Sequence, residues 1–311
     1  MSTPSCEIDV RQPFTRAEAL KAGLTPYELG STAFVRVFHG VYISREVPRT
    51  HVVRARAALK AVPYDDAVVS HESAAQLWGA SVATSSVTIT VRPKQVVLLP
   101  GVKARQRTAR PPTSRRHGVL VTSPSQTFCD LGSVLDLVEL VVVGDKLVRR
   151  KVVTPDQLVE AASQWRGWAR GTVRRAAGLV RPGVDSPPET RLRLLVVLAG
   201  LPEPTVDYRI HDDDGTLLRR MELAYEEPKI AIEYQGRDHR RQDKIWVGDI
   251  TRREELSRDS WRFVEVINEG LFDDPLETLL RIEQARVDRG CAPTKMFREE
   301  FRRYFPGKSV A

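Results

Sequence analysis

The stretch MELAYEEPKIAIEYQG, Met221 to Gly236, carries two carboxylates where a buried strand usually holds aliphatic side chains. Glu222 and Glu233 each interrupt an alternating apolar run, and Gln235 follows two places after Glu233. The runs flank Glu226-Glu227-Pro228-Lys229, a turn-forming segment, so a β-hairpin is predicted. Alternation puts Ile230, Ile232 and Tyr234 on one face and Ala231, Glu233 and Gln235 on the other. Met221, Leu223 and Tyr225 oppose Glu222 and Ala224 in the same way. Pairing around the turn brings Glu222 across from residues near Glu233. Like charges facing each other on a sheet are destabilising, and a proton or a cation between them makes them tolerable. Hard carboxylate oxygens suit Mg2+ or Mn2+ better than zinc, which favours nitrogen and sulfur. His239 lies nearby in sequence and stays open between a site residue and a structural hydrogen bond.

The elements that would position these carboxylates run from Ser186 to about Gly290. SPPETRLRLLVVLAG is predicted to be a helix, TVDYRI a strand, and Asp212-Asp213-Asp214-Gly215 a turn. The hairpin follows, then a helix over DKIWVGDITRREELSRD, a strand over WRFVEVI and a closing helix over PLETLLRIEQARVDRG. The order α-β-β-β-α-β-α makes a small mixed sheet with helices on its faces. Ser186-Pro187-Pro188-Glu189 is itself a capping box, which gives Glu189 a purely structural use. Asp249 with Arg252 and Arg253 reads as an ion pair on a helix face. The tail beyond Gly290 has apolar spacing at Phe297, Phe301 and Tyr304.

An acid on one strand, about ten residues, then Glu-x-Lys on the next is the pattern of the PD-(D/E)XK nucleases, and here Glu222 is followed by Glu233-Tyr234-Gln235. With EYQGRDHR, DITRREEL and WRFVEV, the segment resembles the nuclease-like domain related to very-short-patch-repair endonucleases. The resemblance implies a restriction-endonuclease-like α/β domain that hydrolyses phosphodiester bonds with Mg2+ or Mn2+. Glu222 and Glu233 would be the main metal ligands, helped by the backbone carbonyl of Tyr234. Glu189, matching an acid on the preceding helix, would bind directly or through water. Gln235 would place the nucleophile, His239 would touch the leaving group or scissile phosphate, and Arg237, Arg240 and Arg241 would hold the DNA backbone. Two residues depart from the pattern: the usual Asp is Glu222, and the usual Lys is Gln235, which carries no charge.

Upstream, PFTRAEALKAGLTPYELG has a capping box at Thr15 and Glu18, a stop at Gly23, and a second cap at Thr25 followed by Pro26. FVRVFHGVYIS then gives two short β-like runs around His39-Gly40. Helix, turn, helix and hairpin is the layout of a winged helix, which sets Arg36, His39 and Arg45 to meet phosphates. Farther on, AVVSHESAAQLWGA reads as a helix capped by Ser70, SSVTITVRP as a strand, and a helix starts at Ser125. VKARQRTARPPTSRRHG is strongly basic, and period two puts Lys103, Arg105 and Arg107 on one face. A phosphate-tracking ribbon and a solvated edge strand both account for that face. Trp165 and Trp168 are expected to pack, and RPGVDS is a linker. TRAEALKAGLT, FHGVYIS, VVSHESAAQLWGA and PSQTFCDL make this part similar to the type IV abortive-infection (AbiEi-like) antitoxins, which implies transcriptional regulation.

The chain has 311 residues, room for two or three domains at ~100–200 residues each. The expected class is α+β and multidomain: a winged helix over 1–60, a basic mixed α+β domain over 61–184, a nuclease-like domain over 185–290, and a tail over 291–311. Lys and Arg total 48 against 40 Asp and Glu, a net charge of +8 that favours a polyanion as partner. The expected polyanion is double-stranded DNA; a homodimer and a partner protein stay open. The three cysteines, Cys6, Cys129 and Cys291, form no disulfide framework or CxxC site. No apolar signal core opens the chain, and Val134 to Val148 is broken by Asp136, Glu139 and Asp145, so a cytoplasmic protein without a membrane partner is expected. A metal-dependent DNA endonuclease or nickase is the leading expectation. Its alternatives are a non-catalytic DNA-binding regulator with a degenerate nuclease fold, and a toxin or phage-defence component.

Overall fold

The computed structural model describes residues 8–236 and 261–308. The chain divides into two compact units, Met1–Gly178 and Leu179–Ala311. Twelve strands in three sheets and eleven helices are present among the described residues, an α+β architecture. No helix among them is long and apolar enough to cross a membrane.

The first unit begins with β1 (Phe14–Thr15), α1 (Arg16–Lys21) and α2 (Pro26–Leu29). Both helices start in a full capping box, Thr15 with Glu18 and Thr25 with Glu28. β2 (Phe34–Phe38) and β3 (Val41–Ser44) form a hairpin, to which β1 adds beside β3. Phe14 anchors this layer, edge-on to Phe34 at 5.5 Å and stacked on Tyr42 at 6.3 Å. α3 (His51–Ala61) packs on this small sheet and also on the elements that follow. The expected boundary at 60 therefore falls inside one compact unit, because a single helix serves both cores.

The second layer is a mixed five-stranded sheet in the order β6 (Val102–Gln106), β5 (Val87–Val91), β4 (Val68–Val69), β8 (Val119–Thr122), β7 (Thr113–Arg116). Five helices accompany it: α4 (His71–Trp78), α5 (Pro124–Leu131), α6 (Leu137–Arg149), α7 (Pro155–Gln164) and α8 (Arg170–Leu179). α5 is capped by Ser123, not Ser125, because Pro124 takes the first helical position. Ser70 stands at the N-cap of α4 without a side-chain cap bond; its hydroxyl meets the His71 ring and accepts from Thr90, each at 2.9 Å. Trp168 does not pack as expected: it is 85% exposed, and its carbonyl accepts from the Trp165 indole.

In the second unit, α9 (Pro187–Leu198) precedes a four-stranded sheet ordered β12 (Arg262–Ile267), β11 (Ile230–Gln235), β10 (Leu217–Tyr225), β9 (Thr205–His211). β9, β10 and β11 are antiparallel, and β12 joins β11 in parallel. A short helix α10 (Asn268–Phe272), absent from the expected order, leads into α11 (Pro275–Asp288). A 3-10 turn over Glu299–Arg303 buries Phe301, and Arg298 N–H donates to the Ala199 carbonyl. The tail thus belongs to this unit's core. Asp212 caps its turn, accepting the Asp214 and Thr216 N–H groups on its carboxylate.

Candidate functional site

The hairpin predicted around Glu226–Lys229 is present, and its register fixes the carboxylates. β10 and β11 pair from Tyr225 with Ile230 to Leu223 with Ile232. One step further that register would oppose Glu222 to Glu233. Instead, Tyr234 N–H donates to Glu222 Oε2 at 2.7 Å, so the carboxylate takes a strand N–H that a main-chain carbonyl would otherwise fill. Glu233 turns to Arg219, whose Nη2 donates to its two oxygens at 3.2 and 3.4 Å. The Arg219 guanidinium lies over Phe263 of β12, 4.2 Å from the ring centre. β11 and β12 bring Glu265 into register beside Glu233. Gln235 pairs with Ile267 at the end of the same ladder.

Glu189 comes from the first turn of α9 and is 6% exposed. Its carboxylate accepts the Asp185 N–H at 3.0 Å, and its own N–H donates to the Ser186 hydroxyl. Ser186 thus caps the helix, but the capping box is incomplete, since Glu189 accepts from the residue before the cap. Arg220 ties this helix start to β10, bonding the carboxylates of Asp185 and Asp207 and the Gly183 carbonyl. Gly183 allows the approach: a Cβ there would lie 2.9 Å from the Asp207 Cβ, and its φ is +87°. Asp207 itself sits at φ +56°, a left-handed kink in β9.

Glu222 feels the charge of the other two acids. Burial pushes the Glu222 carboxyl up to about 8, and the charges of Glu189 and Glu233 add to that; the Tyr234 N–H and Arg220 pull the other way. Such an excess of buried negative charge calls for a proton or a cation, and its all-oxygen donors fit Mg2+ or Mn2+ in type. Among the described residues, however, no group of three or more His, Cys, Asp or Glu side chains stands in a geometry that could hold a metal ion. The reason is visible in the partners: Glu222 is turned to Tyr234, Glu189 to Asp185 and Glu233 to Arg219. Arg219 and Glu265 were not singled out from the sequence. Glu265 alternates with Val264 and Val266 as Glu233 does with its neighbours, so the same signal was available for it. Arg219 had none, because its contact with Glu233 depends on how β10 and β11 pair in space.

In the first unit, Arg36 and His39 are exposed on the hairpin and border a cavity of about 660 Å³ with Val96 to Pro100. Arg45 is partly committed elsewhere: its Nε donates to the Thr32 carbonyl at 2.5 Å and closes the hairpin base. β6 is an edge strand, with Lys103 exposed and Arg105 and Arg107 half-buried. Arg107 Nη1 bonds buried Asp130 at 3.1 Å, and its guanidinium lies 4.9 Å from the Trp165 ring centre. Burial pushes Asp130 up to about 6 despite that partner. Burial likewise drives the His71 imidazole down to about 4; Glu72 opposes this, while Arg105, Arg107 and Lys103 reinforce it. The positions proposed at Arg237, His239, Arg240 and Arg241, and the ion pair at Asp249, lie outside the described residues.

No protein-family model matches the chain. Two uncharacterized proteins of Mycobacterium tuberculosis, MT2308 of strain CDC 1551 and Rv2248 of strain H37Rv, are each 27% identical over 261 residues, covering 82% of this chain and 93% of theirs. Among solved structures, the RV2827C protein from Mycobacterium tuberculosis aligns with a TM-score of 0.39 and 13% identity, over 63% of this chain and 78% of that one.

Proposed function

We propose that the Leu179–Ala311 unit is a restriction-endonuclease-like, divalent-cation-dependent phosphodiesterase centre acting on double-stranded DNA. The Met1–Gly178 unit, with its winged-helix-like start, would grip that DNA. The observation that carries this reading is that buried Glu222 on β10 feels the charges of Glu189 from α9 and Glu233 from β11. Glu222 and Glu233 would hold Mg2+ or Mn2+, with Glu189 and the Tyr234 carbonyl as further oxygen donors. The ion would lower the pKa of a water and offset charge growing on the phosphate. Gln235 would orient that water through its amide, and Arg36, His39 and Lys103 would hold the duplex backbone. The basic surplus of the chain is in keeping with such a partner.

A second reading, a DNA-binding regulator without hydrolytic activity, is favoured by one observation: Glu233 already carries a guanidinium, while neutral Gln235 stands where the pattern asks for lysine. Supercoiled plasmid incubated with Mg2+ or Mn2+ separates the two. The phosphodiesterase reading expects metal-dependent nicking by the wild type and none by Glu233→Ala, with DNA retardation kept by both. Equal inactivity of the two proteins, retardation retained, supports the regulator.

A further inference from the structure

Trp168 lies between α7 and α8 and is 85% exposed, although tryptophan ordinarily hides most of its surface. A single exposed apolar side chain is ordinary; the way this one is held and its charged surroundings are not. The Trp165 indole N–H donates to the Trp168 carbonyl at 3.0 Å. The Trp165 ring lies so near Gly167 that a Cβ there would come within 2.2 Å of it, and the Arg107 guanidinium stands 4.9 Å from the ring centre. Trp165 thus fixes the loop that presents Trp168 to solvent. From Ala161 to Gly178 the chain has four arginines and no acid. Arg166, Arg170 and Arg174 are exposed. Arg166 and Arg174 both donate to the Ser163 carbonyl, at 2.9 and 3.1 Å, so two guanidiniums converge at the end of α7. Each keeps further N–H donors for another acceptor. Arg170 opens α8, where the helix dipole favours an anion, and no acid stands in that first turn. Arg174 lies four residues on, on the same side of the helix.

We propose that the Trp165–Arg170 loop is a stacking platform for an unpaired base of a single-stranded nucleic acid, with Arg166, Arg170 and Arg174 on the neighbouring phosphates. A cationic surface without acids suits a polyanion. Among polyanions, one with uncovered rings also covers the indole, because every base has a face that stacks on an aromatic ring whatever the sequence. A duplex keeps its base faces against one another and leaves the indole unused. The fixed loop lowers the ordering cost of binding. The platform belongs to the Met1–Gly178 unit and is independent of hydrolysis in the other.

The test is fluorescence anisotropy of two labelled strands with the full chain in EDTA: oligothymidine of on the order of ten nucleotides, and an abasic strand of the same length with the same phosphates. The proteins are the wild type, Trp168→Ala, Trp168→Leu, Trp168→Phe and Arg170→Ala. The wild type is expected to prefer oligothymidine. Trp168→Ala and Trp168→Leu should bind it about tenfold more weakly, as loss of one stacked base gives, and should bind the abasic strand as the wild type does. Trp168→Phe, which keeps an aromatic face, should retain most of the preference. Arg170→Ala should weaken both strands alike and lower the salt slope by about 0.7. The abasic strand guards against misfolding, since a misfolded variant would lose both. Equal binding of the two strands by the wild type, no binding of either, or an oligothymidine affinity that Trp168→Leu preserves overturns the proposal. Nicking enters none of these outcomes, so loss of the phosphodiesterase reading leaves the platform standing, and loss of the platform leaves metal-dependent nicking untouched.

Discussion

At the residue scale, Glu222 sets a pH dependence whose sign follows from its surroundings. Its folded carboxyl titrates near 8, against about 4.3 for an unfolded glutamate. Between those values the folded chain keeps a proton that the unfolded chain gives up. The stability cost is absent below the lower value and grows as pH rises toward the upper one, reaching on the order of a few kcal/mol. Glu222→Gln removes the ionisation. Urea unfolding in EDTA should show the variant gaining on the wild type between pH 5 and pH 8, and Mn2+ at pH 8 should return much of the difference to the wild type. A gap that stays constant with pH would mean that burial and the neighbouring acids do not act on this group as described. Glu222 and Glu233 were legible in the sequence because charge inside an apolar alternation is conspicuous. Their present partners were not, since Tyr234 N–H and Arg219 Nη2 reach them through the spatial approach of strands.

At the element scale, the edge strand β6 separates two kinds of cation that look alike in sequence. Lys103 is exposed, whereas Arg107 is spent on buried Asp130 and the Trp165 ring. Lys103→Ala should lower the salt slope of duplex binding by about one and leave stability untouched. Arg107→Ala leaves buried Asp130 with the Gln126 amide but without its cation and should cost about 1–3 kcal/mol in chemical denaturation, part of which Asp130→Asn in the same chain should recover. Equal stability of the two single variants would place Arg107 on the surface with Lys103. The helices and the hairpin turn were legible from local chemistry: Thr15 with Glu18, Pro26 after Thr25, Ser186 before two prolines. The kink at Asp207 was not, because no glycine marks it, and the short helix α10 was not, because Gly270 lies inside it and no side chain caps it. The helix read as starting at Ser125 begins two residues earlier because Pro124 takes the first helical position and Ser123 the cap.

At the scale of the whole molecule, the chain divides into two compact units, Met1–Gly178 and Leu179–Ala311. The boundary at Gly178 falls close to RPGVDS, which the proline and glycine marked as a linker. The boundary at 60 does not separate compact units, since α3 packs on the sheets to either side of it. A hydrophobic helix shows that it needs cover but not how many neighbours supply it. The tail was unreadable for the same reason: Phe297, Phe301 and Tyr304 look like an isolated amphipathic turn, whereas Phe301 lies buried in a 3-10 turn beside α9.

A crystal of the full chain grown with MnCl2, measured at the manganese absorption edge, tests the proposed cation site most directly. An anomalous peak at about 2.1–2.3 Å from carboxylate oxygens of both Glu222 and Glu233 is the predicted result; the distance is that of a hard divalent ion on oxygen. The contradicting result is a diffraction pattern with no peak between these carboxylates at saturating manganese, Glu222 still on the Tyr234 N–H and Glu233 still on Arg219.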